Sequence, residues 1–130
     1  MGISINWVDD TQHCVHVIYG RDWSWDEFFA TDDTAKVMLN SIEHKSDFIL
    51  DLQEAVTPPN IVAQFPKFVK GAASLTHPNS RYVILVSTNP HYRVLLDVFR
   101  KVYPAMGKRV FQVGTLDEAH GLLAERPHES

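Results

Sequence analysis

The chain has a single cysteine, Cys14, so no internal disulfide framework holds it together and its stability has to come from packing. It has six glycines, and none of Gly2, Gly20, Gly71, Gly107, Gly114 and Gly121 builds a GxGxxG turn or a phosphate-cradling P-loop. No GxSxG elbow occurs either, so dinucleotide-binding, P-loop and α/β-hydrolase chemistry lose their usual sequence support. No N-terminal apolar run of signal-peptide or membrane-span character is present, and the expectation is a cytoplasmic protein with no membrane span. Met1-Gly2 does not extend into a myristoylation signal, because Asn6 stands where serine or threonine is needed. Internal repeats, low-complexity tracts and linkers are lacking too.

Basic charge is also scarce. Net charge is −4, which argues against a nucleic-acid binder. The charges are unevenly placed: residues 1–60 carry eleven acids against three bases, and residues 61–130 carry five acids against nine bases. A solvated surface accounts for that asymmetry, and a polarised docking surface is the competing reading.

What is there is core-forming material. Of 130 residues 45% are hydrophobic, close to the commonest domain size, so one domain over 1–130 is expected. Ile3, Ile5 and Trp7 alternate with Ser4 and Asn6, the period of a strand with one buried face. Asp9-Asp10-Thr11 supplies turn chemistry before the β-branched run Cys14 to Gly20, so a hairpin is predicted. Ser24-Trp25-Asp26-Glu27 has capping-box spacing and opens a helix whose apolar stripe runs to Ile42, with Asp32-Asp33 interrupting it and expected to bend or fray it. Phe48 to Leu52 reads as a strand covered on both faces. A second helix is expected over Ile61 to Leu75, with Pro66 either kinking it or marking its true start. Tyr82 to Val86 is a strand, and Asn89-Pro90 pairs a capping side chain with a proline suited to the first helical position. Pro104 should end that helix. Arg109 to Val113 is the last strand, and Thr115-Leu116-Asp117-Glu118 repeats the capping box. The order ββαβαβαβα predicts an α/β fold: a five-stranded, mostly parallel sheet with an antiparallel first strand and right-handed crossovers.

Candidate chemistry is thin. His13, Cys14 and His16 cluster, but on a strand His13 faces away from the other two, and no metal site is assigned. His77 and His91 lack a partner identifiable from spacing, so surface roles are preferred and no catalytic residue is assigned. Trp7, Trp23 and Trp25 lie on an alternating strand and at a helix start, which favours core and staple packing over ligand stacking. No cofactor is expected.

The element order, the initial hairpin and Phe48-Ile49-Leu50-Asp51-Leu52 followed by a loop and helix together resemble the STAS/SpoIIAA-like fold of anti-sigma-factor antagonists. Trp23-Ser24-Trp25-Asp26-Glu27-Phe28 and Thr76-His77-Pro78-Asn79 look closer to its STAS/SEC14-like bacterial branch. The resemblance spans Ile3 to about Leu123. It implies a βα superhelix and a non-enzymatic protein-interaction or signalling module, with a SEC14-like lipid- or ligand-binding domain as the alternative. In STAS antagonists the phosphorylatable serine lies about nine positions after the Asp-Leu strand end; here that place falls near Asn60, which can cap a helix but cannot accept a phosphoryl group. Thr57 is a displaced acceptor at best, since Pro58 fixes an extended backbone before it. A degenerate receiver is the further alternative: Asp9-Asp10, Asp51 and Thr88 resemble its acidic pair, phosphoacceptor and hydroxyl. That likeness fails on order, because a strand follows Asp10 where a receiver needs a helix.

The partner surface is expected on the loops Glu54 to Asn60 and Ser87 to His91, with Glu54, Thr57, Asn60, Thr88, Asn89, His91 and Arg93 as site residues. Both loops follow carboxyl ends of strands, where sites collect in open α/β sheets, and both lead into helix N-termini that favour anionic groups. The partner would be an unknown protein, with a homodimer or a small anionic ligand also allowed. Capping alone is the competing account of both asparagines.

Overall fold

The computed structural model describes residues 2–56 and 61–126, without the side chains of Ile61, Val62, Phe65 and Phe68. Strands β1 (Ile3–Trp7), β2 (Cys14–Tyr19), β3 (Ser46–Asp51), β4 (Ser80–Val86) and β5 (Val110–Val113) form one sheet in sequential order. β1 pairs antiparallel with β2 and every other pairing is parallel, which is the expected α/β sheet. Interleaved are α1 (Trp25–Asn40), α2 (Ile61–Gly71), α3 (Ala73–Thr76), α4 (Pro90–Val102), α5 (Pro104–Gly107) and α6 (Leu116–Ala124). The two short helices α3 and α5 were not in the predicted order.

Alternation along the strands divides the interior into two clusters. Val15, Val17, Phe48, Leu50, Val83 and Val110 face one side and bury against α1 and α4 through Phe28, Leu39, Leu96 and Phe99. Ile49, Ile84 and Val86 face the other side, where Ala119 of α6 covers them with Leu116, Leu122 and Leu123 packed around it. The same outer face is left uncovered along β1 and the end of β2, where Ser4, Asn6 and Ile18 are exposed, while Cys14 at the start of β2 packs against the second cluster.

Local chemistry sets the element ends. At α1 both halves of the capping box form: Ser24 Oγ accepts from Glu27 N at 3.2 Å, and Ser24 N donates to Glu27 Oε1 at 3.2 Å. Glu27 Oε2 also accepts from Gly2 N at 2.5 Å, tying the start of β1 to the start of α1. Asp32-Asp33 does not end α1, because Asp32 is buried with its charge employed: Oδ1 accepts from Ala73 N at 2.7 Å and Oδ2 lies 3.3 Å from Lys36 Nζ. α2 begins before Pro66 and spans it, and the interruption falls at Ala72, whose extended ψ of 120° separates α2 from α3. Asn89 caps α4 by accepting from His91 N at 2.9 Å, with Pro90 first in the helix. α4 stops before Pro104, as expected, and the proline then opens α5. At α6 Thr115 Oγ1 accepts from Glu118 N at 3.1 Å, while the carboxylate meets the threonine hydroxyl at 3.2 Å rather than the cap amide.

The register between β3 and β4 shifts between Ser46 and Phe48. Asp47 occupies that irregularity and replaces the interrupted ladder: its Oδ1 accepts from Tyr82 N at 3.0 Å, and its two oxygens take Arg81 Nε and Nη2 at 2.8 Å each. A 2% exposed carboxylate is tolerated there because it is paired bidentately and hydrogen-bonded.

Candidate site at the carboxyl edge of the sheet

β3 and β4 are neighbours, with Asp51 opposite Val86 and Leu52 N donating to Val86 O at 2.9 Å, so the chain leaves both strands side by side. Glu54, Thr88, His91 and Arg93 are exposed along this edge, and Asn89 is half-buried. Thr57 and Asn60 lie outside the described residues. Among the described residues no ion pair joins these side chains. The loop after β4 satisfies itself: Ser87 is buried and its Oγ accepts from Asn89 N at 3.0 Å, while Asn89 caps α4. Capping therefore accounts for Asn89 without a ligand. Asp51 likewise accepts from Gln53 N and Nε2 at 3.1 Å, a strand-end role.

Beneath this rim lies a feature that periodicity did not announce, an apolar cavity of about 100 Å³. Leu50, Val83, Leu85 and Val110 form its floor on the sheet. One wall is Tyr19, Trp23, Trp25 and Phe28, from the end of β2 and the start of α1; the other is Tyr92, Leu95, Leu96 and Phe99 of α4. None of the described lining residues is charged. Leu85 carries the clearest mark of the opening. It points inward from β4, flanked by β3 and β5, where Val83 and Leu50 are buried, yet it is only half-buried. Trp25 and Leu95 are half-buried too, so the cavity is open to the outside.

Tyr19–Trp23, Trp23–Trp25 and Trp25–Phe28 meet edge to face, with centroids 5.2, 5.1 and 5.8 Å apart. Trp23 Nε1 and Trp25 Nε1 are buried with no conventional acceptor. Edge-to-face contact is the arrangement in which an indole N–H meets a ring face, a weaker but real interaction. Core packing of the tryptophans is correct as far as it goes; Trp23 and Trp25 also wall the cavity. The signal in the sequence was density rather than period: five aromatic residues, Tyr19, Trp23, Trp25, Phe28 and Phe29, fall within eleven positions.

The other candidates separate. Asp9 and Asp10 follow β1, whose end pairs with the start of β2, whereas Asp51 stands at the far end of β3 opposite Ile18. The receiver-like acidic pair and Asp51 are thus at opposite ends of the sheet. Cys14 and His16 share the outer face of β2; His13 stacks edge-on with His44 at 4.4 Å, and the His44 ring contacts Gln12 O at 2.9 Å. Among the described residues no three His, Cys, Asp or Glu side chains gather as a metal site. Burial first, and then the charges of Asp47 and Asp9, push the Cys14 thiol up to about 12. His77 bridges Asn40 Oδ1 at 2.7 Å and Asn79 N at 3.0 Å, a structural role. Among the described residues no helix is long and apolar enough to cross a membrane. Compared with protein-family models, curated proteins and solved structures, the chain matches none.

Proposed function

We propose that this chain is a non-catalytic binding module whose site is the apolar cavity at the carboxyl edge of its sheet, and that it takes up a small apolar ligand. The observation that carries the reading is an inward-facing leucine of a central strand, Leu85, left half-buried on the floor of an opening with no charge among its described lining residues. Interiors normally contain few voids larger than a water molecule. Water in an opening of about 100 Å³ with apolar walls has few partners there, and an apolar occupant that displaces it removes that apolar surface from water. An enclosed cavity with similar apolar walls binds small hydrocarbons such as benzene. Among the branches of the resemblance, this favours SEC14-like ligand binding. Because Trp23 and Trp25 wall the site, titration with small aromatic hydrocarbons followed by tryptophan emission reports occupancy directly. A saturable change supports the proposal, as does a small apolar molecule co-purifying in native mass spectrometry; no saturation and no bound mass would reject it.

A second reading has its own observation. The loops after β3 and β4 emerge side by side, as a STAS-type protein-interaction surface requires. In that reading the chain is a signalling module lacking the phosphorylatable serine, with Asn60 at its place and Glu54, Thr88, His91 and Arg93 facing a protein partner. Pull-down from the source cell with the wild type and with His91→Ala combined with Asn60→Asp tests it; unchanged capture would remove these loops from the interface. A lone cysteine suits a reducing compartment, so a cytoplasmic location goes with both readings.

A further inference from the structure

We infer that Phe28 sets the length of ligand the cavity accepts, by closing it off from a second, smaller void under α1. Resting on the ligand-binding reading above, this narrows the ligand to a neutral molecule whose buried part is one small ring or a short alkyl segment.

This second void, about 20 Å³ and itself partly open, lies under α1 between Val17 and Phe48 of the sheet and Thr31, Asp32 and Ala35 of the helix. It shares Tyr19, Phe28, Leu50 and Ser74 with the outer cavity, so these four residues form the partition. Leu50 belongs to the sheet floor and Ser74 to α3, so neither can retreat without moving an element. Tyr19 ends β2 and is held edge-on by Trp23. Phe28 is the plug that α1 contributes: it is 6% exposed and wedged between Trp25 and Phe29, with centroids at 5.8 and 5.4 Å. Alone, the second void has room for little more than a single water molecule. Joined to the outer cavity, it would turn a pocket for a ring into a tunnel for a chain.

Neutrality follows from the walls. No described lining residue of the outer cavity is charged, and the carboxylate at the inner end, Asp32, already accepts from Ala73 N and faces Lys36. A charged ligand group would be desolvated without a partner, so it has to stay at the mouth.

The test is a series of n-alkylbenzenes from toluene to octylbenzene, titrated by tryptophan emission. Each methylene that enters apolar space should tighten binding about fourfold, and in the wild type the gain should stop after a short chain. Phe28→Leu, which keeps an apolar side chain at the site, should move that break to longer chains. Ala35→Val, which fills the second void, should leave the wild-type break where it is and cancel the gain in the Phe28→Leu background. Affinity rising through the whole series in the wild type, or a break unmoved in a folded Phe28→Leu variant that still binds toluene, would overturn the inference and leave the binding reading intact. Should Phe28→Leu not fold, a break moved to shorter chains by Ala35→Val alone would overturn it, and an unmoved break would support it. Absence of binding by any member would sink the cavity as a ligand site and this inference with it.

Discussion

Asp32, midway along α1, accepts the backbone amide of Ala73 at 2.7 Å and so caps a helix 41 residues further on. α3 has no capping side chain at its own N-cap, Ala72, and the carboxylate from α1 supplies the missing acceptor. Asp32→Ala should therefore destabilise by about 2 kcal/mol, the range for losing a charged acceptor to a buried amide. Asp32→Asn keeps an acceptor oxygen and should cost clearly less. Denaturant unfolding of both variants checks this, and equal stability of wild type and Asp32→Ala would refute the capping role.

The ion pair at the β3–β4 irregularity behaves differently. Arg81→Met leaves Asp47 buried without its partner and should cost about 3 kcal/mol, the lower end of the range for breaking a buried pair because Arg81 is partly exposed. Adding Asp47→Leu should recover part of that loss but not all, since Tyr82 N then loses its acceptor. A double-mutant cycle by thermal or denaturant unfolding measures the coupling.

Helix caps give a smaller, paired effect. Ser24→Ala and Thr115→Ala should each cost about 1 kcal/mol. Ser24 should be the larger of the two, because its capping box is complete and Glu27 also holds Gly2. Equal denaturation midpoints for Ser24→Ala and the parent would contradict the geometry.

Alkaline pH should weaken the fold. Burial raises the Cys14 thiol from about 9 to about 12 and raises the Tyr19 hydroxyl as well. The folded state then holds protons that the unfolded chain releases, so the contribution is intact below pH 9 and is lost as pH rises through 12. Cys14→Ala should flatten the decline between pH 9 and 11 in a series of denaturant titrations. In the folded wild type at pH 8, iodoacetamide should modify Cys14 far more slowly than in urea, since the thiolate is the reactive form.

Element type was readable wherever the cause was local. The caps at Ser24, Asn89 and Thr115 and the alternation of Ile3, Ile5 and Trp7 depend on residues within a few positions, and the sheet follows from their order. What escaped the sequence depends on partners far along the chain. Asp32-Asp33 read as an interruption because Ala73, 41 residues on, could not be seen to employ the carboxylate, and Pro66 read as a kink or a helix start although the break falls at Ala72. At the site, the loops' adjacency was legible from topology and the exposed polar rim from composition. The cavity was not, because it is made where β2, β3, β4, β5, α1, α3 and α4 converge, and a leucine that lines a void has the same letter as one that fills it.

The outer face left open along β1 and the end of β2 grades the sheet in time as well as in space. β3 is covered on both sides and paired on both edges, whereas β1 has one neighbour and helix cover on one face only. Native-state hydrogen exchange should release the amides of the hairpin well before those of β3. Tyr19, the last residue of β2, belongs to the cavity wall. Brief excursions of the hairpin would thus widen the interior from the side opposite α4, and anything that fills the cavity should slow exchange along a strand it scarcely touches.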